Sequence, residues 1–440
     1  MKKKRAIRNF IILAILLLIC FIFSFVSFRI PTTVDRFAGF VNGIYLSKDF
    51  NGGVTATYTV TYDDNFNGDE ELAVSKAMAR VESLVARDYG EYYIEKVDSD
   101  KICVTIPKIS ESTTIKSNYL VNFITFTTES VSDPDEFTPT FTGANITEAK
   151  YFTSNGAFGT LISFNDAGKQ ALLDMADGLS STGTLYIYQD KDYSSVLLRI
   201  SVDSNSLTTI ANNNQIFISD VSIFPTKDNA VEFADKIASG MLNVDMSLEG
   251  SVSIITPTFG EGSTTIIGII MILLIVLSVV YLVFRYKALA LPTAMSMLCF
   301  VALSLIIMPI FESIQVSFAG FIGLAIIYIL TYVAHIIYLE KARNDFASGK
   351  KLLASFKSAY VKSVLANTDM YVVVFMLSLA SALIAMGAMK TVAIILAILV
   401  FPSALCSMLI HRGLVKWYLD INPTKYKKIN FEKGGLDNEE

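Results

Sequence analysis

The stretch NFIILAILLLICFIFSFVSF, residues 9–28, decides the class of this fold. It is an unbroken apolar run of about the 20 residues that an α-helix needs to cross a bilayer. A basic cluster at residues 2–8 precedes it. A cleaved secretion signal has a shorter apolar part followed by a small-residue cleavage site, and no such site stands before Arg29. The run therefore predicts an uncleaved membrane anchor.

Five more apolar runs follow after a long gap, at 264–284, 291–311, 317–339, 366–388 and 391–411. Basic residues collect on the cytoplasmic side of such runs. In this chain basic residues precede the first run and follow the second, fourth and sixth runs, which puts them all on one side of the membrane. Of the short connections on the other side, only the turn with Lys390 carries a basic residue. We therefore expect six spans in the plasma membrane with both termini in the cytoplasm.

The gap between the first two runs is acidic. Residues 31–262 carry 15 Lys and Arg against 32 Asp and Glu, although the whole 440-residue chain has 36 and 41. A nucleic-acid-binding protein concentrates positive charge on a water-facing domain, so this class of partner is excluded. Only 18% of the residues are charged, against about 25% in soluble domains. We expect a membrane protein, in contact with lipid, that carries an acidic extracytoplasmic domain.

These observations predict a fold with four parts. Residues 1–30 form the cytoplasmic N-terminus and anchor, 31–262 the extracytoplasmic domain, 263–412 five further spans and 413–440 a cytoplasmic tail. The fold class is a six-span α-helical membrane bundle with an α+β domain inserted between spans 1 and 2.

Hydrophobic periodicity gives the elements of the inserted domain. Strands are predicted at 54–62, 102–106, 121–128, 184–188, 196–202 and 216–222. Helices are predicted at 70–88, at 166–178 after the cap Asn165, and at 228–239 before Gly240. Two polar stretches, 109–118 and 201–214, are predicted to be loops or hinges.

No arrangement of residues suggests catalysis. Residues 31–262 contain no histidine and no glycine-rich phosphate loop, so they offer no Ser–His–Asp set. The two histidines of the chain, His335 and His411, are too few and too far apart in sequence for a zinc site. We expect a protein that binds or moves a partner, without enzyme activity, cofactor or metal.

Several short motifs resemble, in order and spacing, those of the SecD/SecF family of the RND superfamily, and above all its SecD branch. They include DFNGG with Asp49, Gly52 and Gly53, TPTFG with Pro257 and Gly260, SFAGF with Ala319 and Gly320, and YLEKARNDF with Glu340 and Arg343. Paired glycines permit tight turns and close chain approach, so Asp49, Gly52 and Gly53 are expected to be structural.

The resemblance implies an accessory subunit of the Sec protein-export translocase. Its partners would be a SecF-like subunit on another polypeptide, the SecYEG channel and unfolded preproteins, and an ion gradient would drive movement of the extracytoplasmic domain. The family's proton-coupling aspartate corresponds to Val333 here, so that acid is missing.

A polar stripe remains in the fourth span, where Tyr328, Thr331, Tyr332 and His335 share one helical face. In the fifth span, Asn367 and Asp369 are the nearest polar residues. These residues either form a proton relay or gate, because a histidine titrates near neutral pH, or they pack the helices while Asp369 reaches the interface. The sequence leaves both interpretations open.

Two other functions stay open as well. One is half of an efflux pump for lipids or small molecules, from the same superfamily. The other is a membrane scaffold that has lost energy coupling, which the missing acid of the fourth span favours.

Overall fold

The structure is a computed structural model. It describes residues 2–26, 28–29, 36–37, 39–62, 69–109, 113–134, 136–154, 156–179, 181–190, 193–220, 222–260, 262–311, 314–421 and 429–431.

Long apolar helices form a bundle at the two ends of the chain. They are α1 (Lys2–Phe25), α7 (Ser263–Tyr286), α8 (Ala290–Ile307), α9 (Phe318–Ala347), α10 (Leu352–Ile384), α11 (Gly387–Ala404) and α12 (His411–Ile421). Five continuous helical segments of the described chain are long and apolar enough to cross a membrane. The protein is therefore a multi-pass membrane protein.

Two of these segments contain more than one helix. Ser263–Ile310 holds α7 and α8, separated by a 3-10 turn at Lys287–Leu289 in which Lys287 has a φ of 47°. Gly387–Ile421 holds α11 and α12, joined by a π-helical turn at Leu405–Ile410. Pro402 stands just before that turn and removes a backbone donor, which explains why the regular hydrogen-bond pattern changes there.

Strands and shorter helices lie between α1 and α7. The shorter helices are α2 (Lys48–Asn51), α3 (Glu70–Asp88), α4 (Asp166–Gly178), α5 (Ser204–Asn213) and α6 (Lys227–Gly240). The strands are β1 (Phe28–Arg29), β2 (Arg36–Phe37), β3 (Gly53–Tyr62), β4 (Tyr93–Lys96), β5 (Lys101–Pro107), β6 (Thr125–Thr127), β7 (Phe141–Thr142), β8 (Ile146–Ser154), β9 (Ala157–Phe164), β10 (Gly183–Tyr188), β11 (Val196–Val202), β12 (Gln215–Ile218) and β13 (Val244–Ile255).

Besides the short β1–β2 pair, the described strands form three antiparallel sheets, in the orders β13-β3-β5-β4, β11-β10-β6-β7 and β12-β9-β8. The first sheet is built from both ends of this region, because β3 opens it and β13 closes it. Alternate residues of β3 are buried against α3, which gives one apolar core around Val54, Val60 and Val81. The other two sheets share a second core with α4, α5 and α6. We call β3–β13 and their helices the sheet region.

Most sequence predictions for this region are confirmed. Helices 70–88 and 166–178 have the predicted bounds, and Asn165 caps the second of them by accepting from the Gly168 amide. Periodicity did not predict β4, β7, β8, β9 and β13. In β13 the two-residue period is present, since Val244, Met246 and Leu248 alternate with polar residues, whereas β8 mixes polar and apolar residues without that period.

Three predictions are corrected by the structure. The stretch 201–214 is not a loop, because it ends β11 and then forms α5 behind an Asp203–Ser206 capping box. Pro309 removes a helical donor and is predicted from the sequence to kink its span, but it lies in the 3-10 turn that ends α8. The fifth apolar run begins inside a longer helix, α10, which starts at Leu352 because polar residues on one face continue the helical pattern outside the apolar run.

Candidate functional site

Two histidines meet in the centre of the bundle. His335 on α9 and His411 at the start of α12 are both fully buried, and their ring centroids are 4.4 Å apart. The Tyr338 ring lies edge-on to His411 at 5.3 Å. Residues 76 positions apart in the sequence thus form one polar pair inside an apolar core.

Hydrogen bonds define the protonation of each ring. Nδ1 of His335 donates to the Thr331 carbonyl at 2.6 Å, so Nε2 is the open nitrogen. The Ser296 hydroxyl lies 2.9 Å from that nitrogen and 2.8 Å from the Cys406 carbonyl, and it has one proton for both. An added proton on Nε2 would satisfy all three groups, because Nε2 would donate to Ser296 and Ser296 to Cys406. The two acceptors, Nε2 of His335 and the Cys406 carbonyl, therefore share the single proton of the Ser296 hydroxyl.

His411 has the complementary arrangement. Its Nε2 lies 3.0 Å from the Thr293 hydroxyl, which donates to the Leu289 carbonyl at 2.8 Å. Nε2 therefore donates to Thr293, and Nδ1 is a buried acceptor without a hydrogen-bond partner in the structure. Such an unpartnered buried group costs about 1–3 kcal/mol.

A chain of hydroxyl groups begins at Thr331, the residue whose carbonyl accepts from His335. Thr331 lies 2.6 Å from Ser403, Ser403 donates to Tyr371 at 2.9 Å, and Tyr371 lies 2.9 Å from Ser407. These hydroxyl groups link α9, α10, α11 and the π-helical turn, and the Thr331 hydroxyl donates to the Ile327 carbonyl of its own helix at 2.7 Å.

The other residues of the predicted stripe are less central. Tyr328 is buried and lies 2.6 Å from the Ser278 hydroxyl, whereas Tyr332 is half-buried, with its hydroxyl 3.5 Å from the Ser278 carbonyl. Asn367 is buried and donates to the Ala334 carbonyl at 3.3 Å, and its Oδ1 has no partner. The structure thus brings Thr331, His335 and Asn367 to the core.

Asp369 lies elsewhere, on the exposed face of α10. The structure does not bring it to His335. Val333, at the position of the family's acid, is 39% exposed and also faces away from the core. Among the described residues of the bundle, the buried carboxylate is that of Asp345 near the end of α9. It forms ion pairs with Lys350 and Lys362. The core therefore holds no buried carboxylate beside the histidines in the part of the chain that the structure describes.

Glu340 and Arg343 join two helices near the same end of α9. Glu340 accepts from Arg285 at 3.0 Å and from the Tyr286 hydroxyl at 2.7 Å, and Arg343 lies 3.8 Å from it. These contacts hold α7 against α9.

The three glycine-containing motifs meet where the sheet region joins the bundle. Asp49 accepts from the Phe318 amide at the start of α9 at 3.1 Å, and its carbonyl accepts from the Phe259 amide. Phe50 stacks on Phe259 and lies edge-on to Phe321. We call this contact of residues 45–53, 255–260 and 314–321 the joint.

Gly52 and Gly53 allow the chains of the joint to approach closely. Gly52 has a φ of 74°, and a Cβ on it would stand 2.3 Å from the Ile255 carbonyl and against Pro257. A Cβ on Gly53 would stand 2.8 Å from the Ile106 carbonyl. At Gly260, by contrast, a Cβ would meet nothing within 4 Å. The first two glycines therefore have a steric role in the joint.

Small residues also permit close packing inside the bundle. A Cβ on Gly320 would stand 3.1 Å from Val316 and 3.2 Å from Ile395, whereas Ala319 beside it is half-buried. Gly320 therefore allows α11 to lie against the start of α9.

Sequence reasoning missed His411, Ser296 and Ser403 as members of the site. All three lie in apolar runs where polar residues occur singly, and no spacing links them to His335. No group of three or more His, Cys, Asp or Glu in the described part of the chain could hold a metal.

Comparison with known proteins finds similarity in structure but not in sequence. No protein-family model and no curated protein sequence matches the chain. Among solved structures, SecDF in its super-membrane-facing form is similar over 95% of the chain, with a TM-score of 0.66 at 18% identity. The chain has the SecDF fold. It spans 58% of the length of that SecDF chain.

Two other solved structures are similar at lower scores. SecDF from Thermus thermophilus, a translocon-associated membrane protein, has a TM-score of 0.47 at 17% identity and is covered over 59% of its length. A heavy metal efflux pump has a TM-score of 0.35 at 8% identity and is covered over 48% of its length. Both align with 95% of this chain, at scores too low to support an argument.

Proposed function

We propose that this chain is a SecD-like accessory subunit that assists protein translocation across the plasma membrane. The observation that carries the proposal is the SecDF fold over 95% of the chain, which includes both the bundle and the sheet region. The joint between the two parts adds to it, because a protein that moves a water-exposed domain needs a defined contact between that domain and its membrane helices.

In the proposed topology the bundle crosses the membrane six times, with both termini in the cytoplasm and the sheet region outside. Ser263–Ile310 would be about 70 Å long as a straight helix, more than twice the roughly 30 Å hydrocarbon core. Its turn at Lys287–Leu289 lets it cross twice. The basic residues then lie on one side, as in the positive-inside rule.

The proposed substrate is an unfolded preprotein. The sheet region ends in edge strands such as β8 and β12, whose backbone groups can pair with an extended chain. A chain held there would be hindered from sliding back toward the cytoplasm.

Energy coupling would act through the histidine pair. A proton on His335 would place a charge in an apolar core beside a second histidine, at a cost of roughly 2.5–3.5 kcal/mol on insertion scales. Opening of the bundle to water relieves this cost, so protonation favours a second conformation. The joint would then transmit the movement of α9 to the sheet region.

Asp369 supports a partner bundle. It is exposed on α10 among apolar side chains that are also exposed, such as Val372, Val373 and Met376. A carboxylate facing lipid is costly, so a second helical bundle that covers this face and supplies a polar group would stabilise it. A SecF-like subunit has the required chemistry, and the SecYEG channel would complete the assembly.

The test is complementation in the native cell after depletion of the chain. Export of a secreted protein is measured with and without an uncoupler, and variant levels are checked by immunoblotting. We expect His335→Gln to lower export several-fold and to remove most of its sensitivity to the uncoupler, because Gln accepts no proton. The control Ser304→Ala removes a hydroxyl that bonds only to its own helix, at Phe300, and should export normally.

Two outcomes would contradict these proposals separately. Normal, uncoupler-sensitive export by His335→Gln would reject the coupling role while leaving the export role intact. Unchanged preprotein processing after depletion of the whole chain would reject the export role itself.

A further inference from the structure

A basic cleft of about 740 Å³ opens at the end of the bundle opposite the joint. It lies between the start of α1, the start of α10 and the amphipathic helix α12. Four cationic side chains and one carboxylate line it: Arg5, Lys357, Arg412, Lys416 and Asp420. The cleft is separate from the joint. It adjoins the histidine pair, because Tyr338 lines the cleft and also lies edge-on to His411.

Among the described residues that line the cleft, four cations stand against the single carboxylate of Asp420. None of the four cations forms an ion pair with a carboxylate in the described part of the chain, although Arg412 lies over the Tyr360 ring at 3.8 Å. All four are exposed. Elsewhere at this end, cations are paired: Arg285 with Glu340, and Lys350 and Lys362 with Asp345. The excess of positive charge in the cleft therefore attracts an anion.

The position of the cleft indicates where that anion comes from. Arg5 begins the apolar helix α1, and Trp417 on α12 contacts Phe10 of α1 at 5.9 Å, so the cleft lies at the depth where aromatic residues mark the headgroup layer. Leu353, which also lines the cleft, is 63% exposed, and Ile7 and Ile11 of α1 are 40% and 54% exposed. An apolar surface for acyl chains thus adjoins a basic pocket for a headgroup.

We propose that this cleft binds the phosphodiester headgroup of an anionic phospholipid, with the acyl chains lying on the adjoining surface of α1 and α10. Basic pockets between membrane helices have this chemistry. A soluble phosphate or an acidic peptide would use the charges but not the apolar surface.

The test uses the full chain, purified in detergent and analysed by native mass spectrometry. Phosphatidylglycerol and phosphatidylcholine with identical acyl chains are added at equal concentrations. We expect at least about 10-fold more bound phosphatidylglycerol, since each cation near the headgroups contributes to anionic-lipid binding. The triple variant Lys357→Gln, Arg412→Gln, Lys416→Gln should retain the two lipids equally.

A matched control changes the same number of charges outside the cleft. Lys3, Lys4 and Lys351 are exposed near the same end of the bundle and do not line the cleft. The triple variant Lys3→Gln, Lys4→Gln, Lys351→Gln should keep the preference for phosphatidylglycerol. If both triple variants lose it equally, the cleft is not the site and the proposal is overturned.

A variant that binds more lipid excludes misfolding as the cause of the measured change. Asp420→Asn removes the carboxylate that lines the cleft and should increase bound phosphatidylglycerol several-fold. Soluble glycerol phosphate at millimolar concentration should not displace the lipid. Equal binding of both lipids to the unmodified chain, displacement by glycerol phosphate, or displacement by an acidic peptide would each overturn the proposal.

Discussion

At the scale of single residues, Glu91 has an unusual environment beside the joint. It is fully buried, accepts from the Tyr93 hydroxyl at 3.0 Å and from Ser47, and one carboxylate oxygen has no partner. Burial raises the pKa of Glu91, and the nearby charge of Asp49 raises it further. Gln315 accepts from the Gly90 and Glu91 amides, so the loop is tied to the start of α9.

A raised carboxyl pKa makes stability depend on pH in a defined direction. The folded protein has its full stability below the ordinary glutamate pKa, and it loses stability as the pH rises through the raised pKa of Glu91. We therefore expect Glu91→Gln to increase the free energy of unfolding at pH 8 by roughly 1 kcal/mol, and with it the melting temperature. At pH 4 the substitution should have no such effect. Thermal unfolding of the detergent-purified chain measures this.

The exposed Glu95→Gln serves as the control, since it removes the same charge from a solvated position. An equal gain at pH 4 and pH 8 for Glu91→Gln would show that the charge of Glu91 is not the cause.

At the scale of elements, α5 shows how a polar sequence becomes a helix. Its segment, DSNSLTTIANNN, is predicted to be a loop. In the structure the Asp203 carboxylate accepts from the Ser206 amide at 2.7 Å, the Ser206 hydroxyl accepts from the Asp203 amide at 2.9 Å, and Leu207 and Ala211 are buried. Asp203→Ala should lower stability by about 1 kcal/mol, because the first turn loses its cap. Chemical denaturation measures this, with Ser204→Ala as the control. Equal stabilities of the two variants would contradict the capping role.

At the scale of the whole molecule, Asp49 connects the sheet region to a membrane helix. Its carboxylate accepts from the first amide of α9, where the helix dipole favours a negative charge by about 0.3–1 kcal/mol. Asp49→Ala should broaden the distribution of distances between one spin label on the sheet region and one on α10, as measured by double electron–electron resonance. Asp49→Asn keeps an acceptor and should broaden it less. A narrow, unchanged distribution in Asp49→Ala would show that the joint does not depend on this contact.

Part of the candidate site could be predicted from the sequence. Thr331 and His335 share a helical face by their spacing, and the structure buries both. His411 and Ser296 could not be predicted as members of the site, because the order of helices in a bundle depends on tertiary packing. A single polar residue in an apolar run gives no indication of which residue it contacts. The sequence groups Asp369 with His335 because it lies in the next span, but the rotation of α10 places Asp369 on the exposed face.

The sequence by itself determined the membrane class, the apolar helices, the acidic inserted region, six of the twelve described strands of that region and three of its five described helices. These features follow from local composition and periodicity, which act over one element at a time. Only the tertiary structure decided which polar residues meet: the histidine pair, the hydroxyl chain, the joint of three distant glycine motifs and the basic cleft. The physical reason is that each of these sites is assembled from residues far apart in the chain, and their contacts depend on how the helices and sheets pack.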